Sequence, residues 1–228
     1  MFIIYIRITE IDMASSFFNP KSAGTRFLTG LANLIIVNLL FMITCIPVIT
    51  IGASVTSLYR ITIAILAGDN PAVFRDYLKS FKDNFIKATL LQLLYMFLAA
   101  FFLFEIYMVN NMMDPKFSWA QYPAYFFLAA ICASACYAFP LLAWFEETFK
   151  QILKNSLLLA LSNLPVTIMF IVITGGLLFL TYYFTVIMMS GFVFLGFALV
   201  ATFYSLFLKR IFEKAGAKIS FKEEEEEK

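Results

Sequence analysis

The residues of this chain with the most chemical potential are a few polar ones set inside long apolar runs. Arg60 stands in residues 48–67, with Ser54, Thr56, Ser57 and Thr62 around it. Asn33 and Asn38 interrupt the run before it, and Gln92 and Glu105 a later one. An ionisable group in hydrocarbon is costly, so each such position is a candidate site by default. Arg60, Asn38, Gln92 and Glu105 are the set from which an intramembrane polar site could be assembled. The Arg60 guanidinium needs a carboxylate, backbone carbonyls or a lipid phosphate. Glu105 is the only acid inside an apolar run, near its outer end. A direct pair therefore requires a reach along the bilayer normal. In the alternative reading Arg60 snorkels from an interfacial segment, and the amides bond between helices.

Other chemistry is thinly represented. The chain has no histidine, which removes His-based acid–base catalysis, Ser-His-Asp triads and His metal ligands. There is no Walker loop, GxSxG, HExxH or dinucleotide fingerprint. Cys45, Cys132 and Cys136 all lie in apolar runs, where they read as small buried core residues. Cys132 and Cys136 share a helix face, but two thiols without further ligands make no zinc site. The expectation is a protein that is not an enzyme and carries no cofactor or metal.

Composition explains why polar positions are so few. Of 228 residues, 62% are hydrophobic and 14% charged, against roughly 45–50% and 25% in a soluble domain. The mean hydropathy is +0.86. A soluble fold cannot hide that much apolar surface, so the solvent is lipid. A net charge of +2 is too small to imply a nucleic-acid partner.

A transmembrane helix takes about 20 mostly apolar residues. The expected class is an all-α, polytopic transmembrane helix bundle of about six spans with short amphipathic cytoplasmic helices. A single membrane domain covers residues 1–208, with spans near 27–46, 48–67, 88–109, 123–145, 157–183 and 187–208. Residues 209–228 form a charged cytoplasmic tail containing Glu223 to Glu227. Residues 48–67 are ambiguous, and five spans result if they are interfacial. Connectors 68–87 and 146–156 and the C-terminal region carry Arg75, Lys79, Lys82 and Lys87, Lys150 and Lys154, and Lys209, Arg210, Lys214 and Lys218, whereas 110–122 has only Lys116 with Asp114 and 184–190 has no charge. The positive-inside bias favours six spans with both termini cytoplasmic, and it puts the turn between Pro47 and Gly52 outside. Pro165 and Gly175-Gly176 give the long fifth span places to bend. At the start, Arg7 and Glu10 break a run too short for a signal peptide, and Met13 is an alternative start.

The connector after Gly68 has a helix start, with Asn70 as cap and Pro71 in the first turn. Phe74, Tyr77, Leu78, Phe81 and Phe85 then share one face, while Arg75, Asp76, Lys79, Lys82 and Asp83 take the other. Such a helix lies at a membrane interface. Arg75, Lys79, Lys82, Phe81 and Phe85 are its candidate docking or lipid-facing residues. Residues 77–91 and 148–162 align loosely, with Lys79 over Lys150 and Asn84 over Asn155.

The run NLLFMITCIPVITIGASVTSLY, followed by GDNPAVFRDYLKSFKDNFIKATLL, resembles the YesL family of bacterial integral membrane proteins, a domain of unknown function. Pro47, Thr50, Gly52, Tyr59, Phe74, Phe81, Asn84 and Phe85 carry the pattern, while Ala53 stands where the family usually has Pro. The resemblance covers residues 38–91 and implies a plasma-membrane protein linked to carbohydrate uptake, often beside sugar transporter permeases. It supplies no site residues. The expected function is a non-enzymatic accessory or regulatory component. Its expected partners are the lipid bilayer and either a sugar permease or a second copy in a homo-oligomer. The alternative is a small solute transporter or channel.

Overall fold

The computed structural model describes residues 23–69, 71–183 and 195–214. Among these the chain is all-α, with no strand. Seven α-helices follow one another: α1 (Ala23–Thr44), α2 (Ile51–Ala67), α3 (Val73–Met112), α4 (Gln121–Trp144), α5 (Phe149–Ser162), α6 (Leu164–Tyr183) and α7 (Phe197–Lys214). Short 3-10 turns at Val48–Thr50 and Pro115–Ala120 lead into α2 and α4.

Helix α2 is the centre of the bundle and touches α1, α3, α4 and α7. Its polar run is compatible with that position because the hydroxyls bond their own helix. Ser54, Thr56, Ser57 and Thr62 donate to the carbonyls of Thr50, Gly52, Ala53 and Leu58 at 2.9–3.0 Å. Gly68, in the left-handed region at φ 87°, ends the helix and donates to Ala64 and Ile65.

Four differences from expectation have local causes. First, residues 73–87 of the amphipathic stretch and the span 88–109 are one helix, α3, of 40 residues. No Gly or Pro separates Val73 from Met112, so nothing stops propagation, and about 60 Å of helix results. It starts at Val73, just after Pro71, while Asn70 lies outside the described residues. Second, the expected span 157–183 is broken at Asn163, where α5 and α6 meet at 97°. Pro165 has no N–H to continue α5, and the Thr167 hydroxyl donates to the Ala160 and Asn163 carbonyls across the break. Gly175 and Gly176 sit inside α6 without interrupting it.

Third, the turn at Pro47 and the basic stretch are not held at opposite ends of α2. Tyr77 bonds Thr44 and Ser54, whereas Gln92, about 22 Å further along α3, bonds Val48 and Gly52. Helix α3 therefore lies across the α1–α2 corner, a crossing that loop charges do not report. Fourth, α7 runs from Phe197 to Lys214, past the expected stop at Lys209-Arg210. Gly191 and the turn at 184–190 lie outside the described residues. By length and apolarity, three described helical stretches can cross a membrane, or four if α5 and α6 form one broken span. Six were expected. The described apolar part of α1, Leu28–Thr44, is shorter than those three.

The core has three parts. Tyr137, Phe170, Tyr204 and Phe212 centre the first, with Phe170 and Tyr204 stacked at 4.2 Å. Val37, Leu58, Ile61 and Tyr77 centre the second, and Ala53, Ala88 and Leu91 the third. Outside, α3 exposes Ile86, Leu90, Leu93, Phe97, Phe101 and Phe104, a lipid-facing surface rather than a soluble one. Residues 77–91 and 148–162 diverge in use. Asn84 bonds its own helix at Ser80, whereas Asn155 donates to both carboxylate oxygens of Glu147.

Candidate polar site and basic helix face

The four intramembrane candidates are not brought together. Asn38, fully buried on α1, accepts from the backbone N–H of Ala198 at 3.0 Å and ties α1 to the start of α7. Gln92, on α3, uses both ends of its amide on the start of α2. Its Oε1 accepts from the Gly52 N–H at 2.6 Å, and its Nε2 donates to the Val48 carbonyl at 2.7 Å. A helix start leaves N–H groups without intrahelical partners, and in an apolar bundle a side chain must supply them. Arg60 donates to the Ala143 carbonyl at 3.0 Å, with its guanidinium carbon 4.2 Å from the Trp144 ring centre. The last carbonyls of α4 thus receive a cation, favoured there by the helix dipole, and the indole adds a cation–π contact. Glu105, half-buried on α3, makes no hydrogen bond or ion pair among the described residues. It lies about 20 Å along α3 from Gln92. Arg60 thus meets a backbone carbonyl and a ring at the end of α4.

Because the planar fork and stacking both matter, Arg60→Ala is expected to cost about 1–2 kcal/mol. Arg60→Lys should restore only part of it in thermal unfolding of the purified protein. Equal stability of all three forms would show that the Arg60 contact with the end of α4 is unimportant.

The turn residues have separate roles. Pro47 is exposed at the corner. Gly52 is not a turn residue; it is buried in the first turn of α2 where α3 comes closest. A Cβ there would stand 2.6 Å from the Ala88 carbonyl oxygen.

The expected docking face of α3 also divides. Phe81 and Phe85, with ring centres 5.6 Å apart, turn inward against the core around Ala53, Ala88 and Leu91. Tyr77 is fully buried. Phe74, by contrast, is 62% exposed. It lines an open groove of about 450 Å³ with Arg75, Leu78, Lys79, Lys82 and Asp83. The cysteines are free, and Cys132 is exposed rather than buried. No group of His, Cys, Asp or Glu among the described residues has metal-site geometry.

Sequence reasoning missed the hydroxyl links that join helices. The Tyr95, Ser134 and Ser156 hydroxyls connect α3, α4 and α5 at 2.7 and 2.8 Å. The Tyr137–Thr167, Tyr204–Thr174 and Thr62–Ser205 hydroxyl pairs join further helices. Lys209 donates to the Leu66 carbonyl at the end of α2. Isolated Ser, Thr and Tyr in apolar runs are the only sequence signal for these links, and it does not name partners.

Taken together, the fold and its outward apolar surface define an all-α membrane protein in which Asn38, Arg60 and Gln92 attach one helix to another. Residues 34–106, about a third of the chain, match a family model described as "Protein of unknown function, DUF624". Neither a curated protein nor a solved structure matches the chain.

Proposed function

We propose that this is a YesL-like protein of the bacterial plasma membrane, a non-enzymatic accessory or regulatory component of a carbohydrate-uptake system. The residues carrying the YesL resemblance, 38–91, fall within the matched 34–106. One observation carries the choice of an accessory over a transporter. Asn38, Arg60 and Gln92 are each engaged in fastening one helix to another. Polar positions engaged in architecture leave interaction to the outer surface, where α3 offers Arg75, Lys79 and Lys82. The partner of this reading is a sugar permease.

The test is copurification from native membranes. A sugar permease should accompany the protein, and Lys79→Glu with Lys82→Glu should reduce its recovery at least tenfold without changing the unfolding temperature. Solute flux in liposomes holding only this protein, lost on Arg60→Ala, would instead establish the transporter reading.

A further inference from the structure

The groove on α3 has a defined orientation and an unbalanced charge. Its inner side is closed, because Val73, Tyr77 and Ser80 are buried against the bundle. Arg75, Lys79 and Lys82 follow at spacings of four and three and so form one row along the helix. The Arg75 side chain is 77% exposed and, among the described residues, pairs only with its neighbour Asp76, at 3.4 Å. Lys79 and Lys82 are exposed and have no ion pair among the described residues. Asp83 is the one carboxylate lining the groove, and Phe74 and Leu78 supply its apolar part.

The position of this row along α3 matters most. Beyond the basic row, the exposed apolar surface of the helix begins at Ile86, which is 72% exposed, and continues past the exposed Lys87 through Leu90 and Leu93. Ile86 lies about 6 Å along the axis from Lys82. If Ile86 and the residues after it face hydrocarbon, Lys82 and Lys79 stand at the height of the lipid phosphates. Cations at that height are attracted by an anionic leaflet, and an exposed Phe beside them enters the boundary region.

We infer that Arg75, Lys79 and Lys82 form a binding site for the phosphate headgroups of anionic phospholipids, with Phe74 and Leu78 against the glycerol and upper acyl region. Occupancy would hold the basic segment of α3 on the membrane surface and set the face it presents to a partner. The site rests on the groove and the apolar boundary at Ile86, not on the uptake reading.

The experiment measures lipid binding to the purified full-length protein by native mass spectrometry, titrating phosphatidylglycerol and phosphatidylcholine separately. The wild type should bind phosphatidylglycerol about tenfold more tightly, on the scale of a few basic side chains at an anionic surface. Arg75→Gln/Lys79→Gln/Lys82→Gln should remove that preference at an unchanged unfolding temperature. Lys150→Gln/Lys154→Gln, at exposed cations on α5, should leave it intact. Equal affinity for the two lipids in the wild type would overturn the inference, as would a preference that survives in the triple variant. So would a preference that emerges only when Glu223 to Glu227 are replaced by Gln, because the acidic run would then be the occupant. No permease is present, so this result and the copurification result fail independently.

Discussion

Gly52→Ala will destabilise the bundle, although alanine is the better helix former. The added Cβ would sit 2.6 Å from the Ala88 carbonyl oxygen and 3.0–3.1 Å from atoms of Gln92. The nearest obstacle is backbone, so α2 and α3 must move apart where they are closest. Overpacking of this kind costs about 3 kcal/mol, and the gain in helix propensity returns about 1 kcal/mol. The net loss of about 2 kcal/mol corresponds to a fall in Tm of about 4–8 °C. Gly30→Ala is the matched control. Gly30 lies in α1 with nothing within 4 Å of the new methyl, so that substitution should be neutral or stabilise by up to about 1 kcal/mol. Equal behaviour of the two variants in thermal unfolding would refute the close approach.

Gln92→Leu is the second large effect, and it acts on the same joint by a different route. Leucine fills similar volume but leaves the Gly52 N–H and the Val48 carbonyl without their partner. Interhelical hydrogen bonds in membrane proteins average about 0.6 kcal/mol and reach about 1.7. Two lost together at a helix start should cost about 2 kcal/mol. Hydrogen exchange should locate the damage, with faster exchange at Gly52 and the first turn of α2 and little change in α6. Uniform acceleration across all helices would show that Gln92 acts by general packing. Combined with Gly52→Ala, the losses should depart from additivity by more than about 0.5 kcal/mol, because the two residues touch.

The helices themselves were legible to different degrees. Apolar runs near 20 residues located α1, α2 and α4 closely, because length and hydropathy are properties of local sequence. The same signal divided α3 in two. A change from a basic to an apolar surface marks the membrane boundary, but it does not interrupt backbone hydrogen bonds. At Asn163 the opposite happened: hydropathy continued and the helix did not, since Pro165 acts on the backbone while leaving the run apolar.

Among polar residues, Arg60, Asn38 and Gln92 stood out as sparse polar groups in an apolar run, and all three form structural bonds. They bond backbone groups at Ala143, Ala198, Gly52 and Val48, which carry no side-chain signature in a sequence. Gly52 gave still less warning. A glycine after Ile-Thr-Ile reads as a turn, and only the approach of α3 makes its missing side chain necessary.

By itself the sequence determined the solvent, the helical class and the sparse set of polar positions, because these follow from composition and period. The tertiary structure alone decided which helix lies at the centre, that Phe81 and Phe85 face inward while Phe74 faces out, and that the polar residues fasten separate joints. Such choices depend on contacts between residues far apart in the chain. Their energies arise only when helices cross at a particular place and angle, and no local pattern encodes that crossing.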